Sequence, residues 1–249
     1  MNKERSKRKL NVQKIFNLVS LMFLSACVIF YGGRFIKLYI ENNKVEETNS
    51  MAKNIKESNK DNENFKVING EYYFSGTDVN NYVSYSNLLW RIMKINTDNT
   101  ITMISDSSIT SLAKGENKDY NSSYISKWLT KKDNEEYTGI LESNLNNMSK
   151  YLTFTKTCKD VIEDTKSISC KDLTEDTYIT IPSLNDYVNT GGNDSFMNNE
   201  EYFYLINNNK ENKSWYIDSD GKLGKSDGTD VIGIKPVITI KATIEATGG

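Results

Sequence analysis

The chain has 249 residues, no histidine, two prolines and a formal net charge of −2, a length that suits one sizeable domain plus an anchor or tail. The lack of histidine excludes Ser-His-Asp and Cys-His catalysis and every His-ligated zinc or iron site. Charge is unevenly spread, +7 over residues 1–40, −1 over residues 41–66 and −8 over residues 67–249, so the C-terminal part is a poor surface for nucleic acid or anionic lipid while the basic start suits an anionic membrane face.

Residues 1–14 form a basic tail with six Lys/Arg and one Glu, and residues 15–33 carry no charge. As a helix, that uncharged run is roughly 28 Å long, close to the hydrocarbon core of a bilayer. Arg34 and Lys37 can snorkel while Phe35, Ile36, Leu38 and Tyr39 prolong the apolar segment, so the expected anchor is residues 15–40. The basic flank places the N-terminus in the cytosol and the remainder outside the cell. Leu24-Ser25-Ala26-Cys27 also fits a lipobox, where Cys27 would be acylated after cleavage. The apolar run continues through Val28-Ile29-Phe30-Tyr31, which favours an uncleaved spanning helix over lipidation at Cys27. Both readings tether the chain outside the cell; in the favoured one, membrane lipid is a partner through residues 15–40, and in the other through acylated Cys27.

Residues 41–66 are polar, have no aromatic before Phe65 and read as a solvated stalk, partly helical across 47–59. The domain is expected over residues 67–249. Its first third predicts strands at 71–76, 81–86, 88–95 and 100–105, joined by turn residues such as Asn96-Thr97-Asp98-Asn99 into an antiparallel meander. Both faces of Leu88–Ile95 are largely apolar, as a covered central strand requires. A helix follows over 123–132 with Ser122 as its N-cap, then a short helix over 135–143 and a strand over 151–158. Residues 176–192 read as a strand and a helix after Pro182, stopped by Gly191-Gly192. Strands resume at 201–206, 214–218 and 232–244, with a hairpin turn at Asp220-Gly221. About eight strands and three helices give an α+β class with an antiparallel sheet and short helices.

Cys158 and Cys170 are the two cysteines outside the anchor and close a short polar loop. In an exported domain they read as a structural disulfide. Ser-x-x-Lys recurs at Ser6, Ser50, Ser111 and Ser219, but in a tail, a stalk and a turn, or in the wrong order relative to its companion motifs, so it carries no catalysis. Residues 218–230 resemble a calcium loop, yet Tyr216 occupies the position where an acid is needed, and a glycine-rich hairpin is the better reading. A glycosidase needs two converging carboxylates, and Glu135, Glu136, Asp172, Glu200, Glu201 and Asp218 supply candidates. Trp90 and Trp128 read as core; Trp215 with Tyr216, in a hairpin, is the candidate pair for stacking on a ligand.

Four stretches, taken in order, carry a likeness. They are YVSYSNLLWRIMKINTDNTITMIS (82–105), SSYISKWL (122–129), YITIPSLNDYVNTGG (178–192) and IGIKPVITIKATIEATGG (232–249). Together they resemble a membrane-anchored surface-protein domain family of unknown function found in Firmicutes and wall-less relatives. Leu184, Tyr187 and Gly191-Gly192 match its third motif, with Asp186 in place of Glu. Lys235 stands where the family has Arg, which removes a bidentate donor, and Leu88 replaces a Gly. The family often continues past the final Gly-Gly with a further strand, whereas this chain stops at Gly249. The resemblance implies a distantly C-type-lectin-like fold, by analogy of fold alone, and brings no catalytic residues with it. The expectation is a single-pass cell-surface protein whose domain binds or displays glycan or protein, with no cofactor and no nucleic-acid partner. The alternatives are a carboxylate-dependent cell-wall glycoside hydrolase and a structural subunit of a membrane assembly.

Overall fold

The β-rich run near the C-terminus cannot be one strand. Proline lacks the N–H that a ladder needs, and Lys235-Pro236 divides the run into Ile232–Ile234 and Val237–Ile240. In a computed structural model these two pieces lie in different sheets. The structure describes residues 50–115, 119–133, 135–164 and 170–244. The chain divides into two compact units, Met1–Asn49 and Ser50–Gly249. The first, with the expected anchor and Cys27, lies outside the described residues, as do residues 245–249 at the C-terminus. Among the described residues no helix is long and apolar enough to cross a membrane.

The class is α+β, with mostly antiparallel sheets and short helices. The larger sheet holds β1 (Phe65–Ile68), β2 (Glu71–Phe74), β3 (Tyr82–Tyr85), β4 (Leu88–Ile95) and β5 (Ile101–Ser105), with β7 (Leu152–Thr153), β8 (Ile179–Thr180) and β13 (Val237–Ile240). Its order is β1-β2-β4-β5-β13-β7, with β3 also on β4 and β8 also on β13. The smaller sheet has the order β11 (Leu223–Ser226), β10 (Ser214–Ile217), β9 (Phe203–Asn208), β12 (Ile232–Ile234), β6 (Thr110–Leu112). Only β9 and β12 pair in parallel among these strands. The N-terminal strands are not a simple meander: β2 and β3 lie on the same side of β4, opposite its end and its start respectively.

The helices are α1 (Met51–Ser58), α2 (Tyr124–Leu129), α3 (Ile140–Asn144), α4 (Met148–Tyr151) and α5 (Leu184–Asn189). The cap of α2 is Ser123, one residue later than the sequence suggests, and its hydroxyl accepts from the Ser126 N–H. Helix α5 has a capping box, Ser183 with Asp186. Two residues past its end comes Gly191, whose φ of 122° suits glycine and whose added Cβ would lie 3.1 Å from the Gly76 nitrogen.

The domain begins earlier than residue 67, which corrects the expected stalk. Ser50 caps α1, Ala52 is buried, and the Met51 N–H donates to the Ile244 carbonyl. Phe65 stacks on Tyr72 and packs on Phe74, at centroid distances of 5.5 and 4.8 Å. The polar composition of this segment misled because a helix resting on a sheet buries only a narrow stripe. Trp90 is core as expected, its indole N–H donating to the Tyr85 carbonyl, and Trp128 packs against the core while partly exposed.

Among the described residues two lysines are buried. The Lys114 ammonium donates to the Ile206 carbonyl at 3.2 Å and to Asn208 Oδ1 at 2.8 Å, and burial pushes its pKa down to about 7. Lys235 is wholly enclosed, and burial pushes its pKa down to about 8 against the pull of Glu201 and Asp106. Both folded values lie below the ordinary 10.5, so between those values and 10.5 the unfolded chain binds more protons. Stability therefore rises with pH through this window, each group contributing at most about 1.4 kcal/mol per pH unit. We expect the urea midpoint to increase from pH 7 to pH 9 and the increase to shrink in Lys114→Met; a flat or falling midpoint in the parent chain would contradict this.

Candidate functional site

The side chains of a strand alternate between the two faces of its sheet, and three adjacent strands here place threonines opposite one another. Thr239 on β13 faces Thr102 on β5 and Thr153 on β7. The Thr102 and Thr239 hydroxyls are 3.2 Å apart, and Thr155 donates to Thr239 at 3.0 Å. Asn96, just past β4, extends the row by donating from Nδ2 to Thr100 at 2.8 Å and to Thr102 at 2.9 Å. The turn that follows is held by Asp98, whose Oδ1 accepts from the Thr100 N–H and hydroxyl. Of this row, Asn96, Thr100, Thr102, Thr153 and Thr239 line a cleft of about 890 Å³, and Thr155 lies behind them, buried.

One side of the cleft carries charge. The Lys94 ammonium lies 3.1 Å from Glu71 Oε2, 3.7 Å from Asp186 Oδ1 and 3.2 Å from the Tyr73 hydroxyl. Tyr73 donates in turn to Glu71. Asp186 is buried at the start of α5, and its Oδ2 accepts from the Ser183 hydroxyl at 2.6 Å. Burial alone would lower the Lys94 pKa, but Asp186, Tyr73 and Glu71 outweigh it and hold the value above the ordinary lysine range. Burial, then Asp186, pushes the Tyr73 phenol up. At neutral pH the group is thus an ammonium and a neutral phenol between two acids. Further out, Lys156 pairs with Asp176 at 3.1 Å. Among the residues lining the cleft, Glu71, Asp98, Asp176 and Asp186 outnumber Lys94 and Lys156 by two.

The lining also includes the disulfide. Cys158 and Cys170 are bonded, with Cα atoms 5.6 Å apart, and both line the cleft. Asp160 orders the returning chain by accepting from the Lys171 and Asp172 N–H groups at 2.8 and 2.7 Å. Cys158, Asp160 and Cys170 lie close enough to hold a metal ion, but the sulfurs are spent on each other. Phe154 stands exposed at the rim, its ring 4.9 Å from that of Tyr178.

Of the stacking pair read from sequence, Trp215 is not the partly exposed ring expected, while Tyr216 is half-buried. Trp215 is buried, its indole N–H donating to the Ile162 carbonyl at 2.8 Å and the Lys225 ammonium 4.8 Å from its ring centroid. Tyr216 lies so close over Gly224 that a Cβ there would fall 2.1 Å from its Cζ. Neither residue lines the cleft. The hairpin reading of residues 218–222 agrees with the geometry, since Asp218 Oδ1 already accepts from the Asp220 and Lys222 N–H groups. None of the six acids considered for glycoside hydrolysis lines the cleft; the acids there are others. The sequence signal for the site was threonine at every second position in Thr100–Thr102 and Thr153–Thr155, which reads equally well as plain strand propensity. No protein-family model, curated protein or solved structure matches the chain.

Lys94 is the central charge of the cluster, its side chain only 15% exposed. Removing it leaves two facing acids uncompensated, so Lys94→Met is expected to destabilise by about 3–5 kcal/mol. Replacing both Cys158 and Cys170 by Ser is expected to cost about 2–4 kcal/mol. Urea unfolding checks both; a Lys94→Met chain as stable as the parent would show that the cluster is not coupled.

Proposed function

We propose that the chain is a single-pass membrane protein of the cell surface, held by residues 15–40, and that its domain binds uncharged glycan in the threonine-lined cleft. The observation that carries the binding reading is the cleft's composition. Hydroxyls and amides in a fixed row suit hydrogen bonding to sugar hydroxyls, and an exposed aromatic at the rim, Phe154, suits stacking on a pyranose face. The excess of two carboxylates disfavours phosphate- or carboxylate-bearing glycans. The Cys158–Cys170 disulfide supports an oxidising compartment. The surface-domain resemblance of residues 82–249, with its lectin-like scaffold, points the same way.

The hydrolase alternative draws less support. A glycosidase places its two carboxyl groups on either side of the scissile bond, whereas Glu71 and Asp186 converge on one ammonium, which occupies the space between them.

For the full chain in detergent, titration calorimetry is expected to show binding of uncharged N-acetylglucosamine oligomers in preference to carboxylated or phosphorylated ones. Phe154→Ala and Asn96→Ala should each weaken it by about three- to tenfold, the equivalent of one lost stacking or hydrogen-bond contact. Preference for anionic glycans, indifference to both substitutions, or release of reducing ends during the titration would overturn the reading. Topology is tested by protease shaving of intact cells, which should remove the domain and leave an N-terminal stub in the membrane fraction. A domain that survives shaving but is cut after lysis would overturn the surface location.

A further inference from the structure

Two smaller concavities follow the principal cleft. Phe154 and Asp176 line both the cleft and a second cavity of about 150 Å³. That second cavity shares Lys131, Glu142 and Tyr178 with a third of about 350 Å³. The three therefore form a row in which each neighbouring pair has a common wall. The first junction carries the Phe154 ring and the second carries the Tyr178 ring, and these rings pack on each other with centroids 4.9 Å apart.

The second cavity has a polar lining. Tyr120 and Asn121, in the turn before α2, border it together with Ser126, Thr130 and Thr177. The ionisable side chains of this cavity are nearly balanced, Lys131 and Lys132 against Glu142, Glu175 and Asp176, so it calls for an uncharged occupant, like the cleft.

We infer that the ligand is a linear, uncharged oligosaccharide chain, not a single sugar, running from the threonine-lined cleft over the Phe154–Tyr178 ridge into the Tyr120 cavity. This rests on the glycan reading above and adds to it the length and path of the ligand. Sugar rings in a chain present one flat face per unit, which matches an aromatic ring at each junction better than two separate small ligands would. Linking the units makes the second contact intramolecular, so affinity climbs with length.

The test uses the full chain in detergent and titrates N-acetylglucosamine, its dimer, its tetramer and its hexamer. The tetramer is expected to bind about thirtyfold or more tighter than the monomer, as linked occupancy of neighbouring subsites predicts. Tyr178→Ala, which removes the ring at the second junction, and Asn121→Ala should each reduce that ratio to roughly threefold, in protein whose melting transition shows it folded. A tetramer that binds no tighter than the monomer overturns the chain inference and leaves single-sugar binding in place. An unchanged ratio in both variants also overturns it, because the Tyr120 cavity then has no part in the path. If folded protein binds none of these sugars at any length, the glycan reading itself fails.

Discussion

A buried ammonium at the point where two strands change sheets governs the architecture. Removing a charge from water costs several kcal/mol unless the protein replaces its hydration. For Lys235 the replacement comes from the Met197 carbonyl at 2.9 Å, Asn199 Oδ1 at 2.6 Å and the Asp106 carbonyl at 3.1 Å, with Glu201 at 3.9 Å and the Phe203 ring beneath. Asp106 belongs to the link between β5 and β6, and Lys235 itself to the link between β12 and β13. Both crossings therefore meet at one cation. Hydrogen bonds on either side, from Ser105 to the Pro236 carbonyl and from Ile109 to the Ile234 carbonyl, keep the two chains paired through the bend. Arg91 secures the same place from β4, bonded to Asp106 and packed between the Tyr82 and Phe196 rings.

That crossing determines where the cleft can be. Because Pro236 ends the ladder of the smaller sheet, β13 enters the larger sheet in one register, Val237 opposite Ile104 and Thr239 opposite Thr102. A slip of one residue would turn Thr239 to the other face and replace it with Ile238 or Ile240. The hydroxyl row is thus a consequence of register, and register is a consequence of the crossing.

What the sequence disclosed follows from these physical facts. Strands with strong alternation or continuous apolarity, Leu88–Ile95 and Ile101–Ser105 among them, were legible because their burial dominates their composition. The disulfide was legible because two cysteines that close a short polar loop, in a domain read as exported, have few alternatives. Three strands escaped, Phe65–Ile68, Thr110–Leu112 and Leu223–Ser226, each of three or four residues with polar positions. Such strands form because a neighbour offers a ladder, and that information is not local. The cleft escaped for the same reason. Its residues come from β2, β4, β5, β7, β13, α5 and the disulfide loop, and only pairing brings Glu71, Lys94 and Asp186 together. Trp215 misled in the opposite sense: a hairpin tryptophan looks exposed until a distant segment, here Ile162, packs over it.

The polar groups of the cleft are tied to one another before any ligand arrives. Asn96 is committed to Thr100 and Thr102, Thr239 to Thr102 and Thr155, and Asp186 to Ser183 and Lys94. Such cross-bonding lowers the entropy that binding must remove, because the side chains are already ordered. Under the glycan proposal it also means that each contact to a sugar hydroxyl competes with an internal bond, so affinity per sugar should be modest. Weak contact at each unit gains strength when units are linked. On the proposed reading, a surface domain that meets long polymers at high local concentration gains more from many weak, preordered contacts than from one tight pocket, and the cleft beside the Thr239 row is followed by two concavities that share lining residues in turn.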